Sequence, residues 1–228
     1  MKAAILQSNY IPWKGYFDLM NSADVFIIYD EVQYTKNDWR NRNRIKTANG
    51  TIWLTIPVRQ HALAQRIIDT EVVHNDWRKK HWNSILMSYS KAPFFKQYGP
   101  YFEKLYLHSD ETFLSKINYQ FFTVINDILG IKTELRWSQD LLLAEGKTER
   151  LVDLCQKVGA TTYISGPAAK DYLDVNLFAE KNIQVSWMDY SGYPEYRQLY
   201  PPFEPQVSIL DLIFNEGDKA PDFMKSFK

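Results

Sequence analysis

The chain opens on a short apolar run, Ala3-Ala4-Ile5-Leu6, which predicts a buried strand ending at Gln7. An aromatic turn follows over residues 7–17, and Trp13, Tyr16, Phe17 and Met20 then recur at the spacing of one helical face. Residues 25–29 are continuously apolar, as expected of a strand covered on both faces, and the run stops at Asp30. Further on, Asn49-Gly50 predicts a tight hairpin between a polar strand over residues 39–46 and a second strand over 51–58. The second strand alternates, with Ile52, Leu54, Ile56 and Val58 on one face.

The middle of the chain changes period. Trp82, Ile85, Leu86 and Tyr89 form one helical stripe; Phe113, Ile117, Phe121, Val124 and Ile128 form another before Gly130. Ala92-Pro93 and Gly99-Pro100 predict breaks between them. Thr148 is placed to cap a helix carrying Leu151, Leu154, Cys155 and Val158, with Gly159 beyond its end. A strand over 161–165 meets Gly166-Pro167, where proline can open a helix. A last strand over 183–188, an irregular Tyr- and Pro-rich stretch over 194–205 and a terminal helix over 208–217 follow. Strands alternating with helices at both ends predict an α/β fold with a mostly parallel open sheet. The β-hairpin and helical residues 76–130 read as insertions within one domain spanning residues 1–228.

Composition narrows the function classes. The chain has 228 residues, 45% of them hydrophobic, which is ample for a core. Lys plus Arg equals Asp plus Glu at 27 each, so no global field draws the protein to nucleic acid or an anionic membrane. Aromatic residues reach 15%, enough to wall a flat or sugar-like ligand as well as build the core. The single Cys155 excludes an internal disulfide and a multi-cysteine zinc site, and its apolar row reads as buried. No apolar run approaches the roughly 20 residues that span a bilayer, and no leader-like segment opens the chain, so a cytoplasmic location is expected.

Charge nevertheless collects locally. As a strand, residues 39–46 project Arg40, Arg42, Arg44 and Lys46 from one face, where guanidinium forks suit phosphate oxygens. The same pattern also describes a solvated edge strand kept from aggregating by its charges. Asn41 and Asn43 favour a site, since asparagine is depleted in strands and offers paired donors and acceptors. Ser165-Gly166 forms a possible anion cradle or an ordinary strand-to-helix turn. His81, beside Lys79 and Lys80 and at the border of an apolar stripe, is the candidate general base, though a packed boundary histidine has the same pattern. Asp30 at its strand end, followed by Gln33, is the candidate to orient or deprotonate a substrate. The other histidines lack metal-ligand spacing, and there is no Gly-x-Ser-x-Gly elbow, so neither a histidine metal site nor that hydrolase design is expected.

Taken together, several blocks resemble the WbqC-like family, a group found among bacterial surface-polysaccharide genes. They are residues 7–17, Ala23-Asp24-Val25-Phe26, residues 30–34, residues 41–46 and residues 53–58. Residues 77–81, Tyr163-Ile164-Ser165-Gly166, Asp171-Tyr172-Leu173 and residues 208–217 continue the likeness in order. One departure is Ser8, where the family usually carries proline. The resemblance implies a transferase adding an aminoacyl or acyl group to a nucleotide-linked amino sugar, with no cofactor and with an acyl carrier protein among the possible donors. On that reading Gln7, Asn9, Tyr10, Trp13 and Tyr16 line the substrate site with Gln33 and the Asn41 to Lys46 segment, and His81 or Asp30 takes the proton. The alternative is a non-catalytic module of the same pathway that binds the sugar nucleotide or organises a complex. At the level of fold, strand, Pro12-Trp13-Lys14-Gly15-Tyr16, then helix is similar to the opening of nucleotidyltransferases, with aromatics in place of their two histidines.

Overall fold

The computed structural model describes residues 1–73, 76–141 and 145–227. The first apolar run forms β1 (Lys2–Leu6), and the aromatic turn leads into α1 (Lys14–Asn21). The continuous run forms β2 (Val25–Ile28), all of it buried. A hairpin of β3 (Arg42–Thr47) and β4 (Gly50–Thr55) turns through Gly50 at φ 104°, a conformation that favours glycine. Next come α2 (Trp77–Tyr89), α3 (Phe95–Leu107) and α4 (Leu114–Leu129), the last closed by left-handed Gly130. β5 (Glu134–Trp137), α5 (Thr148–Lys157), β6 (Thr162–Ser165), α6 (Val175–Ala179), β7 (Gln184–Trp187) and α7 (Ile209–Glu216) follow.

Five strands form one parallel sheet in the order β5-β2-β1-β6-β7, and the hairpin stands apart from it. Alternation along the strands divides the core. Ala4, Phe26, Ile28 and Ile164 face the cluster built by α1 to α4, the hairpin and α7. Ala3, Ile5, Val25, Ile27 and Tyr163 face a smaller cluster containing Cys155 and Phe178. The sheet is therefore covered on both sides, and burial pushes the Cys155 thiol up to about 12. From β1 the chain runs outward to β2 and β5, then returns beside β1 as β6. Strand order reverses between β1 and β6, and the crevice beyond their carboxyl ends is where open parallel sheets bind ligands.

Four local expectations are corrected. β3 begins at Arg42, leaving Arg40 in the preceding turn, because pairing with β4 starts at Arg42 opposite Thr55. Gly99-Pro100 lies inside α3 instead of between helices; Phe95, Phe102 and Tyr106 bury the helix and offset the one bond proline removes. Thr148 is the first residue of α5 and accepts weakly from the Asp174 amide, while Lys147 occupies the cap position without a side-chain bond. Pro167 opens only a short 3₁₀ turn, Pro167–Asp171, not an α-helix.

The terminal helix packs on α3 and the hairpin more than on the sheet. It carries a buried carboxylate, Asp211, which accepts hydrogen bonds from Tyr89 (2.9 Å), Tyr196 (2.8 Å) and Gln198 (2.9 Å). Burial raises the Asp211 pKa, and those bonds oppose the rise. Among the described residues no helix is long and apolar enough to cross a membrane.

Candidate functional site: an indole-lined cleft beside the sheet's carboxyl edge

β1 delivers Gln7, Ser8 and Asn9 past the sheet edge, and the chain then turns sharply. Ile11 at the turn adopts φ 37°, a region that β-branched residues avoid. The turn is pinned on several sides. The Tyr10 amide donates to the Trp39 carbonyl at 3.0 Å, and the Asn43 amide donates to the carbonyls of Tyr10 and Ile11 at 3.1 and 3.0 Å. The Pro12 carbonyl accepts from the Ile209 amide at 2.9 Å, which ties the turn to the start of α7.

This turn and the segment before β3 enclose a cleft of about 290 Å³ lined by Asn9, Pro12, Trp13, Trp39, Asn43 and Gln206. Trp13 is wedged between α1 and the rings of Tyr190 and Tyr193, at centroid separations of 5.2 and 5.9 Å. Gly15 permits this: a Cβ there would lie 2.3 Å from the Trp13 indole. Trp39 is 43% exposed and packs 5.5 Å from Trp53.

Arg40 sets the amides of the cleft. Its guanidinium donates to the side-chain oxygen of Asn9 and, at 3.1 Å, to that of Gln7. A guanidinium only donates, so both oxygens must face it, and each residue's NH₂ is left to offer a ligand. Gln206 is oriented likewise: its oxygen accepts from Arg44 at 2.9 Å. The cleft thus combines indole faces with amide donors, and no titratable side chain is among the described residues that line it.

The expected cationic strand splits into separate environments. Arg42 and Arg44 stack on Trp53, 4.3 and 5.6 Å from its ring centroid, at the rim beyond Trp39. The Arg44 Nε is buried with no acceptor among the described residues. Lys46 is buried, its ammonium held on the Pro202 carbonyl, so it does not extend the rim. Asn41 is buried and donates to the Ile56 carbonyl at 2.8 Å, holding the hairpin; it does not line the cleft.

Both candidate catalytic groups lie in the interior. Asp30 is 1% exposed, accepting from the Ser8 amide at 2.7 Å and from the Ser115 hydroxyl. Burial raises its pKa, while these bonds and the Arg40 charge hold it back. It fastens the end of β1 to α4, and Ser8 uses an N–H that a proline would lack. Asn118 also donates to the Ser8 hydroxyl, at 3.0 Å. His81 is 6% exposed among Tyr10, Trp77 and Tyr106, with its Nδ1 2.9 Å from the Tyr10 hydroxyl. Burial lowers its pKa to about 4, and a backbone bond to Thr55 partly opposes this; Lys79 and Lys80 are not the cause. Tyr10 and Tyr16 are likewise core residues, with the Tyr16 hydroxyl donating to the Gln7 carbonyl at 2.8 Å. The apolar rows that flank these polar groups close over them, and Asp30, His81, Tyr10 and Tyr16 are not among the described residues that line the cleft.

Ser165 and Gly166 are placed elsewhere. With Leu6, Gln7, Tyr29 and Arg150 they line a second cavity, of about 390 Å³, at the carboxyl ends of β1 and β6. Gln33 lines neither cavity; it is exposed and donates to the Leu63 carbonyl. A wider groove of about 630 Å³ beside Tyr119 and Trp137 contains none of the expected residues.

The sequence model of the WbqC-like protein family matches residues 7–223, from the Gln7 that Arg40 orients to the end of the chain's last turn. The chain belongs to the WbqC-like family. It is 50% identical over 225 residues to an uncharacterized protein of Mycobacterium tuberculosis, covering 98% of this chain and 97% of that one. No solved structure matches it. Within this WbqC-like chain, Trp39 and Gln206 were not singled out by residue type, and Arg40 was singled out only as one of four strand cations. Trp39 and Arg40 lie just before the family-like block at residues 41–46 and reach the site only through the turn before β3. Gln206 directly follows the irregular Tyr- and Pro-rich stretch, where no periodicity marks it.

Proposed function

We propose that the protein binds a nucleotide-linked sugar of bacterial surface-polysaccharide biosynthesis, with the sugar in the cleft between Trp13 and Trp39. The observation that carries this reading is the pairing of indole faces with amide donors oriented by arginines. Sugar rings present apolar C–H faces to aromatics and hydroxyl oxygens to N–H donors. Arg42 and Arg44, stacked at the rim, are positioned for the phosphates. The absence of an acid–base group from the cleft lining favours binding over chemistry at that point.

A second reading, transfer of an acyl or aminoacyl group to a nucleotide-linked amino sugar, is favoured by the cavity across Arg40. In that reading the amine attacks the donor's acyl carbonyl and a C–N bond forms. The bond to the donor's thiolate or phosphate breaks, and the amine's proton passes to solvent. The donor is a carrier thioester or a nucleotide-activated acyl group, and His81 and Asp30 hold the turn without touching the proton.

Calorimetric titration with a panel of nucleotide-linked amino sugars tests the binding reading. At least one should bind, and Trp39→Ala should weaken it by about tenfold or more while leaving the fold intact. Binding indifferent to both Trp39→Ala and Trp13→Ala would reject the cleft.

A further inference from the structure

The second cavity has a chemistry of its own. It lies where strand order reverses, beyond β1 on one side and β6 on the other. Its volume, about 390 Å³, falls in the range of small-ligand pockets. Its lining is apolar at Leu6, Val32, Leu151 and Leu173. It also carries two cations, Lys147 and Arg150, together with Ser165 and Gly166. Arg150 donates at 3.1 Å to the Tyr29 hydroxyl, which also lines the cavity. No Asp or Glu is among the described residues that line it, and the Glu149 carboxylate lies beside Gly146, one of the lining residues. The Gln7 amide, its oxygen taken by Arg40, contributes an N–H donor from the floor.

We infer that this cavity binds a phosphate-bearing ligand of mononucleotide size, separate from the ligand of the indole-lined cleft. The apolar lining receives the flat, uncharged part, and Lys147 and Arg150 receive the phosphate. The Arg40 clamp stands between the two sites, donating to Gln7 of one and Asn9 of the other, so both can be filled together. The inference does not depend on the sugar reading, since it rests on different residues.

Titration of the full chain with ADP, UDP and adenosine, read by calorimetry, tests it. ADP or UDP should bind, adenosine should bind far more weakly, and Lys147→Glu should weaken the nucleotide by roughly tenfold or more. Lys147 is exposed, so this variant does not threaten the fold. Trp39→Ala should leave nucleotide affinity unchanged, and saturation with the nucleotide should leave the indole-lined cleft able to bind its own ligand. Failure of both nucleotides to bind at millimolar concentration would overturn the inference. So would nucleotide binding that Trp39→Ala abolishes and Lys147→Glu leaves intact, which would move the nucleotide into the cleft. A sugar nucleotide that binds normally while ADP and UDP do not would refute this inference and spare the proposed function.

Discussion

The Arg40 guanidinium donates at 3.1 Å to the side-chain oxygen of Gln7, which lines the second cavity. Its other amino group holds Asn9 in the cleft, and Asp38 lies 3.6 Å away. Arg40→Ala should therefore weaken ligands at both sites, because the amides of Gln7 and Asn9 lose the partner that orients them. Arg40→Lys should not rescue, since one ammonium cannot replace a fork reaching two oxygens. Parallel titrations of sugar nucleotide and ADP check this; loss at one site alone would mean that the clamp does not couple the two.

Gly15 makes a sharper test of the cleft wall. In a helix, alanine should stabilise over glycine by up to about 1 kcal/mol. Here a Cβ would meet the Trp13 ring at 2.3 Å, so Gly15→Ala should displace the indole. Sugar-nucleotide affinity should fall while the denaturation midpoint changes little. Unchanged affinity would show that Trp13 is not a ligand wall.

Asp30 should prove structural. Asp30→Ala strands the buried Ser8 amide and Ser115 hydroxyl, each costing about 1–3 kcal/mol. Chemical denaturation should show a loss of roughly 2–5 kcal/mol. A variant of native stability that no longer binds or turns over ligand would return Asp30 to the site.

His81 predicts a pH dependence of stability. Its folded pKa is about 4 against the ordinary histidine value of 6.5, so the unfolded chain binds more protons between those values. The contribution is fully present above pH 6.5 and is lost as pH falls through about 4. Its full size is up to roughly 3 kcal/mol. The stability difference between wild type and His81→Gln should narrow over that window. A difference that stays flat from pH 7 to pH 4 would contradict a neutral, buried His81.

Much of the framework was legible from pattern alone. The apolar run ending at Asp30 is a strand buried on both faces, Asn49-Gly50 turns a hairpin, and Gly130 closes a helix in the left-handed region. The failures share one cause, which is that burial and pairing are decided by partners distant in sequence. Arg40 looked like one of four cations on a strand, but the register with β4 begins two residues later and turns it toward Gln7 and Asn9. Asp30 and His81 looked available because polar residues beside apolar runs read as sites. Ser115, 85 residues from Asp30, and Tyr10, 71 residues from His81, satisfy them inside the core. The cation row at Arg42, Arg44 and Lys46 was visible, yet nothing local distinguishes two arginines stacked on Trp53 from a lysine sealed against Pro202.

The central claim is that a nucleotide-linked sugar sits between Trp13 and Trp39, and a crystal structure of the complex with whichever panel member binds tests it most directly. The account predicts a sugar ring against the Trp39 indole, a hydroxyl or carbonyl oxygen within hydrogen-bond reach of the Asn9 NH₂, and phosphate toward Arg42 and Arg44. A ligand seated instead in the groove beside Tyr119 and Trp137, with the cleft empty, would contradict it.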